Sequence, residues 1–327
     1  MTEFICGVQN TGKSTLVYKR IKDDLSDGKK VILIVPDQEA LSAEAELAEV
    51  CRDIAVYNLK VYGFSRLADD VFRTYGGICC DYIDKTGATL ALFLSLCSVS
   101  PALKIYKNVS ASDRALLTEL LETLRGFKRQ GIAPADLEEA LNADLPDLLK
   151  KKLSDISLIY AAYAAAMKRS GDDPDDDTAR MYKILSEHGG FAGNTVYIDS
   201  FISFTGMQLK VIGLIMKTAD RLTVTVGAPA ADREGRAGSV LSPVYDTYKK
   251  LAAEAKRYGD VKITGLTERY AAPELNALEE VLRGKKTVYG DSNGKIRVFS
   301  AKTCYEEADM IAADIRKKLK TAADAAI

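Results

Sequence analysis

The sequence predicts an α/β protein whose parallel sheet carries a phosphate-binding loop, and three observations support this fold class. Residues 7–14 read Gly-Val-Gln-Asn-Thr-Gly-Lys-Ser, which matches the pattern G-x-x-x-x-G-K-[ST] at every fixed position. Strand and helix patterns alternate over residues 1–78. Residues 31–35 form an uninterrupted apolar run, which is typical of a parallel strand buried on both faces.

The first 78 residues contain three strand–helix pairs in succession. Strands are predicted at Glu3–Cys6, Val31–Val35 and Ala55–Tyr62. Helices are predicted at Lys13–Leu25, at Ala40–Val50, and from Ser65 as N-cap to Gly76-Gly77. This β-α-β-α-β order implies a parallel sheet with right-handed crossovers.

Between residues 79 and 188 the pattern becomes helical, with no strand pattern between the helices. Helices are predicted at 86–98, 112–130, 135–143 and 147–169, and we interpret 79–188 as a helical insertion. The aspartates of segment 172–177 form a polar break. We interpret them as a solvated loop that caps the next helix, with a cation site as the alternative. His188, the single histidine, is predicted to end that helix.

Strand patterns return after residue 189. Strands are predicted at Thr195–Ile198, Leu222–Val226, Val261–Thr264 and Thr287–Tyr289, with a helix from Pro243 to about Tyr258. Segments 1–78 and 189–290 are therefore assigned to one P-loop domain. A strand at Lys295–Ser300 and a helix at Glu306–Lys320 make 291–327 the truncated start of a second α/β domain, which indicates a longer protein.

Composition excludes several classes of protein. The net charge of the 327 residues is −1, so any binding of nucleic acid requires a local channel. Six cysteines without a C-x-x-C pair, and only one histidine, argue against a zinc site and favour reduced thiols in the cytoplasm. No apolar run approaches the roughly 20 residues of a membrane span, and the start resembles no secretory signal.

The loop at 7–14 predicts binding of ATP with Mg²⁺. Lys13 would reach the β- and γ-phosphates, Ser14 would offer its hydroxyl to Mg²⁺, and Asp199 at a strand end would hold Mg²⁺ through water. The predicted nucleotide-binding residues are Gly7, Asn10, Thr11, Gly12, Lys13, Ser14 and Thr15.

The residues for ATP cleavage are missing. Ser200 stands where helicase-type ATPases have a glutamate that activates water, and a serine with an ordinary pKa cannot act as that base. We therefore predict that the chain binds ATP but hydrolyses it weakly or not at all, and we assign no catalytic residue.

Four segments carry a family resemblance: the loop at 7–14, Ile-Leu-Ile-Val-Pro-Asp-Gln at 32–38, Val-Tyr-Gly-Phe-Ser-Arg-Leu at 61–67, and Tyr-Ile-Asp-Ser-Phe-Ile-Ser-Phe-Thr at 197–205. In this order they resemble the N-terminal part of AddB/RexB, the B subunit of bacterial AddAB-type ATP-dependent helicase–deoxyribonucleases. The resemblance runs from residue 2 to about 226, and 296–319 is similar to the start of that family's second helicase-like domain.

The resemblance implies a RecA-like core of the UvrD-like superfamily 1 helicases. It implies a heterodimer with an A subunit that carries the motor, acting on DNA double-strand breaks in recombination. The family's B subunit holds displaced single-stranded DNA and scans it for the Chi signal. Its nuclease and iron–sulfur cluster lie near the far C-terminus, so we expect neither in this chain.

Five residues fit a channel for single-stranded DNA: Gln38, Phe64, Arg66, Phe201 and Phe204. They follow strand ends, where α/β sheets bind ligands, and phenylalanine can stack on a base while arginine binds phosphate. Phe64 or Phe201 taken alone is more typical of a hydrophobic core.

Two other functions remain open from the sequence. A small-molecule P-loop kinase would need lid arginines, for which the loop at Gly235-Arg236 is the candidate. A scaffold with a vestigial loop would serve only to contact the A subunit.

Overall fold

The computed structural model describes residues 1–54, 56–78, 82–170, 173–230, 240–267, 272–283 and 296–324. It divides into two compact units, Met1–Arg269 and Tyr270–Ile327. The predictions at Gly235-Arg236 and Thr287–Tyr289 lie outside the described residues.

A six-stranded parallel sheet forms the centre of the first unit. Its strands are β1 (Thr2–Cys6), β2 (Lys30–Ile34), β3 (Leu59–Tyr62), β4 (Asn194–Ile198), β5 (Arg221–Val226) and β6 (Val261–Gly265). They are ordered β3-β2-β4-β5-β1-β6, and each neighbouring pair is parallel. The predicted parallel α/β fold is therefore confirmed, and the architecture is that of a RecA-like domain.

Twelve α-helices are present in the described residues. They are α1 (Lys13–Ser26), α2 (Ala40–Val50), α3 (Phe64–Tyr75), α4 (Lys85–Val99), α5 (Arg114–Gln130), α6 (Pro134–Ala140), α7 (Asp147–Ser170), α8 (Asp177–Glu187), α9 (Gly206–Thr218), α10 (Ser242–Ala255), α11 (Pro273–Leu282) and α12 (Cys304–Asp324). His188 is the C-cap of α8, as predicted.

Helices cover both faces of the sheet. α1 and α2 pack on one face, with Ile5 and Leu33 in the shared core. α3, α8, α9 and α10 pack on the other face around Phe4 and Ile34. The alternation of Phe4 and Ile5 between the two cores follows from the two-residue period of a strand, and it explains why residues 4–6 of β1 and 31–34 of β2 are uninterrupted apolar runs.

Helices α4–α7 enclose a separate hydrophobic core of the first unit. Its buried residues include Leu92, Leu121, Ile159 and Tyr163. On α7, the carboxylate of Asp155 is fully buried and accepts hydrogen bonds from the backbone N–H groups of residues 104–106 at 2.6–3.1 Å. A charged acceptor thus fixes the loop after α4. The boundaries 79 and 188 remain predictions.

The aspartate segment before α8 was predicted to be a solvated loop. This prediction was wrong, because part of the segment is buried. Asp173 is 2% exposed and accepts a hydrogen bond from the Lys128 ammonium at 2.7 Å. Lys128 also donates to Asp176 at 2.9 Å, and its charge lies 5.5 Å from the centre of the Tyr163 ring. A buried cation on α5 therefore holds this segment. Asp172 lies outside the described residues.

The second unit contains α11 and α12. Thr303 caps α12, because its hydroxyl accepts from the Glu306 N–H at 3.2 Å while the Glu306 carboxylate accepts from the Lys302 N–H at 2.8 Å. Arg297 binds both carboxylate oxygens of Asp314 at 2.9 and 3.0 Å. Within the described residues 296–300 there is no strand, so the predicted strand at Lys295–Ser300 was wrong. Assignment of this unit to a second RecA-like domain remains a prediction.

None of the helices in the described ranges is both long enough and apolar enough to cross a membrane.

Candidate functional site: the phosphate-binding loop and its strand edge

The loop between β1 and α1 is anchored to the strands on both sides of β1. The Gly7 N–H donates to the Val226 carbonyl at the end of β5, and the Leu266 N–H donates to the Cys6 carbonyl. Asn10 and Gly12 adopt left-handed conformations, with φ values of 57° and 75°. Glycine adopts this conformation without the strain that a Cβ creates, which explains Gly12 at the N-cap of α1.

Gly7 is required by close packing. A Cβ on Gly7 would lie 2.4 Å from the Thr11 hydroxyl oxygen, which is itself held by a 2.9 Å hydrogen bond to the Val8 carbonyl. Thr11 is 4% exposed and supports the loop from inside. The two fixed glycines of the motif thus have different roles, one steric and one conformational.

The Lys13 ammonium lies within the loop. It donates hydrogen bonds to the carbonyls of Gly7 and Val8 at 2.9 and 2.7 Å. Burial lowers the pKa of Lys13, and the negative charge of Asp199 opposes this effect. A partly desolvated cation held among backbone groups is suited to contact a phosphate.

The first turn of α1 leaves its N–H groups without an acidic neighbour. Gly12 provides no side-chain cap, and no acidic residue lies in the first turn of Lys13–Ser26. Ser14 is half-buried in this turn and Thr15 is exposed. The positive end of the helix dipole therefore faces the loop, as anion binding requires.

Asp199 lies at the same edge of the sheet, just after β4. It is 2% exposed, and its N–H donates to the Ile34 carbonyl. β5 separates its strand from β1. The Thr225 hydroxyl donates to Asp199 Oδ1 at 2.5 Å, whereas Oδ2 is buried without a hydrogen-bond partner among the described residues.

The donor groups at this edge fit a magnesium ion bound together with a nucleotide. A buried carboxylate oxygen without a partner is costly unless a cation or donor meets it. Mg²⁺ is commonly held by one or two protein oxygens plus phosphate and water, so Asp199 and the Ser14 hydroxyl suffice. In the described parts of the chain no group of three or more histidine, cysteine or acidic residues forms an independent metal site.

The residue after Asp199 bends the chain away from the strand. Ser200 has a φ of 67°, and its N–H donates to the Thr225 hydroxyl at 3.3 Å. This position offers a hydroxyl and no carboxylate.

Two of the segments that carry the family resemblance contact each other. The Asp37 carboxylate accepts from the Ser65 N–H at 3.3 Å and from the Ser65 hydroxyl at 3.2 Å. Asp37 therefore caps α3 from outside the helix. The N-cap residue itself is Gly63, so the prediction of Ser65 as N-cap was wrong by two positions.

The three phenylalanines predicted to contact DNA form one cluster. The ring centre of Phe64 lies 5.8 Å from that of Phe201 and 6.4 Å from that of Phe204. Phe64 is 4% exposed and belongs to the core, so it presents no free face to a base. Phe201 and Phe204 are half-buried. Only these two leave ring surface at the edge of the sheet.

The two polar residues predicted to contact DNA lie on the surface. Gln38 is exposed after β2. Arg66 is exposed in the first turn of α3, and its guanidinium pairs with the Glu44 carboxylate at 2.7 Å. A phosphate bound by Arg66 would compete with Glu44.

Sequence reasoning missed Thr225 and α9. A threonine in a strand is typical of β propensity and gives no sign that it contacts a carboxylate. Helix α9 had a readable signal, because Thr205 and Gln208 form a capping box with bonds of 3.2 and 2.9 Å.

A family model and several individual relatives place this chain with the same group of proteins. The model of the family described as "ADDB, N-terminal" matches residues 4–279. Three relatives are each named as the B subunit of an ATP-dependent helicase/deoxyribonuclease. The relative from Clostridium novyi is 28% identical over 327 residues, the one from Acetivibrio thermocellus 28% over 326, and the one from Caldanaerobacter subterraneus subsp. tengcongensis 26% over 334.

These alignments cover 95–97% of this chain and 28% of each of the three relatives. The chain therefore spans just over a quarter of the length of these proteins.

Proposed function

The chain belongs to the AddB N-terminal family, and we propose that it is the nucleotide-binding portion of the B subunit in a helicase–deoxyribonuclease, where it binds ATP with Mg²⁺ and holds single-stranded DNA. The observation that carries the proposal is that one edge of the sheet holds both the Lys13 ammonium, bonded to carbonyls of its loop, and a buried oxygen of Asp199 without a partner in the described residues.

Each residue of this edge has a distinct role in the proposal. The loop N–H groups and Lys13 bind the phosphates, and Ser14 with Asp199 holds the magnesium ion. The ion would neutralise phosphate charge. Asn10, Thr11, Gly12 and Thr15 shape or flank the loop. With Ser200 at the position of the activating carboxylate, the chain provides a nucleotide site with weak or no motor activity.

The proposed path of single-stranded DNA crosses the same edge of the sheet. Phe201 and Phe204 offer ring faces for stacking, while Gln38 and Arg66 offer polar contacts. Phe64 packs edge-to-face against both rings, and we propose that it supports them rather than stacking on a base. The proposed contact with DNA is thus confined to a few residues. A local contact of this kind is compatible with the net charge of −1, since the chain has no general excess of positive charge.

The names of the relatives supply the wider context of the proposal. They are subunits of an ATP-dependent helicase/deoxyribonuclease, so we propose a partner of the AddA type that provides the motor. Together they would process double-strand breaks in the cytoplasm for recombination. The nuclease of the whole protein would lie outside this chain, as would its iron–sulfur cluster.

The nucleotide site is tested by equilibrium titration with ATP and Mg²⁺. Lys13→Ala removes the cation from the loop and should weaken binding by at least about tenfold, the minimum expected for a hydrogen bond to a charged group. Lys19→Ala, an exposed lysine on the same helix, is the control and should bind like the wild type. Equal affinity in all three proteins would contradict the proposal and favour a scaffold with a vestigial loop.

The DNA contact is tested with a labelled single-stranded oligonucleotide. Arg66→Ala should weaken its binding, whereas Arg52→Ala should not, although Arg52 is also exposed and paired with a glutamate at 2.7 Å. The same mixtures measure ATP turnover. Robust turnover stimulated by DNA would contradict the proposal of a weak motor.

A further inference from the structure

One hydroxyl group connects the carboxylate of Asp199 to the backbone that follows it. Thr225 is 6% exposed on β5, and its Oγ1 donates to Asp199 Oδ1 at 2.5 Å. The same oxygen accepts from the Ser200 N–H at 3.3 Å. Because the hydroxyl donates in one direction and accepts from another, its orientation is fixed by two contacts.

This contact decides how the Asp199 carboxylate is oriented. With Oδ1 held by Thr225, rotation of the carboxylate is restricted, and Oδ2 is the oxygen left for an external ligand. Asp199 directly follows β4 and the phosphate-binding loop directly follows β1, so in this parallel sheet both lie at the same edge.

A second threonine on β5 provides an internal comparison. Thr223 is two residues earlier, on the same face of the strand, and is 1% exposed. In the register of the sheet it pairs with Tyr197 of β4, two residues before Asp199. Its Oγ1 is buried with no hydrogen-bond partner in the described part of the chain. Thr223 and Thr225 are thus the same type of residue and are both buried, but of the two only Thr225 contacts the Asp199 carboxylate.

We propose that Thr225 is a positioning residue that holds Asp199 in the orientation needed to bind the Mg²⁺ of a nucleotide, so that its hydroxyl sets the Mg²⁺ dependence of nucleotide affinity. This inference rests on the nucleotide site proposed above. Outer groups that orient a ligand of a metal commonly account for about 10–100-fold in metal affinity.

The experiment measures the Kd of this chain for a fluorescent ATP analogue while Mg²⁺ is titrated, and again in EDTA. Thr225→Val keeps the shape of the side chain and removes the hydroxyl. It should raise the Mg²⁺ concentration needed for tight binding by about 10–100-fold and leave affinity in EDTA unchanged. Thr225→Ser should restore the wild-type Mg²⁺ dependence, and Thr223→Val should match the wild type throughout.

Each other outcome overturns the inference in a recognisable way. A Thr225→Val protein with the Mg²⁺ dependence of the wild type would show that the hydroxyl does not position the carboxylate. Equal loss of affinity in Mg²⁺ and in EDTA would show a structural role alone. Absence of nucleotide binding by the wild type would instead remove the proposed nucleotide site itself. If Thr225→Val does not fold, Thr225→Ala compared with Thr223→Ala gives the same test.

Discussion

At the scale of single residues, close approaches at the sheet edge limit which side chains fit. Gly63 shows this most clearly. A Cβ there would lie 1.9 Å from Asp37 Oδ1 and 2.7 Å from the Asp37 Cα. Its φ of −88° is ordinary for any residue, so the constraint is steric and independent of backbone strain. The contact lies between 32–38 and 61–67, two of the four segments that carry the family resemblance.

Gly63→Ala should therefore lower the free energy of unfolding by about 1–3 kcal/mol, because backbone atoms of Asp37 must move to admit the methyl group. Gly126→Ala is the matched control. Apart from the adjacent residues and the backbone of α5 itself, no atom lies within 4 Å of a Cβ at Gly126. The control should raise the free energy of unfolding by about 0.5–1 kcal/mol through helix propensity. Urea unfolding of both variants gives the comparison, and equal stability of Gly63→Ala and wild type would refute the steric argument.

At the scale of elements, a buried charge connects α5 to the segment before α8. The side chains of Lys128 and Asp173 are 6% and 1% exposed, and their contact is 2.7 Å. Removing one member of a buried ion pair leaves the other charge buried without a counter-charge. This lowers the free energy of unfolding by far more than the intact pair contributes to it.

Lys128→Met should therefore destabilise the chain by about 3–5 kcal/mol. Lys168→Met, at an exposed position on α7, should change stability by less than about 0.5 kcal/mol. Thermal and urea unfolding report both values. The double variant Lys128→Met with Asp173→Asn should lose less stability than the sum of its single variants, and strict additivity would show that the pair is not coupled.

Elements of regular pattern were predictable from the sequence, and contacts made by single polar groups were not. The helix over Ala40–Val50 was predicted to the residue, because its apolar positions recur with helical spacing. The segment Lys295–Ser300 also contains apolar residues at a regular spacing, which is why a strand was predicted there. Its described residues nevertheless pair with no strand in the described part of the chain. At the site, the loop motif could be recognised from the sequence. The contact of Thr225 with Asp199 could not, because the two residues are 26 positions apart and no local pattern predicts their contact.

Glu3 of β1 connects three elements of the first unit, namely β1, α1 and β6. Its carboxylate contacts Arg20 of α1 at 2.9 Å, and Thr264 and Lys262 of β6 at 2.6 and 3.4 Å. Burial alone would raise the pKa of Glu3, but the hydrogen bonds from Thr264 and Arg20, together with the nearby positive charges, lower it below its usual value of 4.5.

Glu3 should therefore contribute to acid sensitivity. Because its pKa is lower in the folded state, its stabilising effect is complete above the unfolded value and is lost as the pH falls through the folded value. The difference in free energy of unfolding between wild type and Glu3→Gln should be constant from about pH 6 to 8 and should narrow below about pH 4.5. Urea titrations at each pH measure this difference. Glu49→Gln, at an exposed glutamate, should show no such narrowing.

The position of β1 in the sheet has a consequence for biosynthesis. The loop at 7–14 precedes β5 by about 200 residues, yet in the described residues β1 pairs with β5 and β6 alone, and Thr2 lies opposite Leu222 and Val261. At a translation rate of about 5–20 residues per second, β1 waits about 10–40 s for its first partner to be synthesised. During that time the segment Thr2–Cys6, buried at every position in the folded chain, has no place in a sheet. On the ribosome, the loop at 7–14 is therefore made before the two strands that flank β1 in the folded sheet.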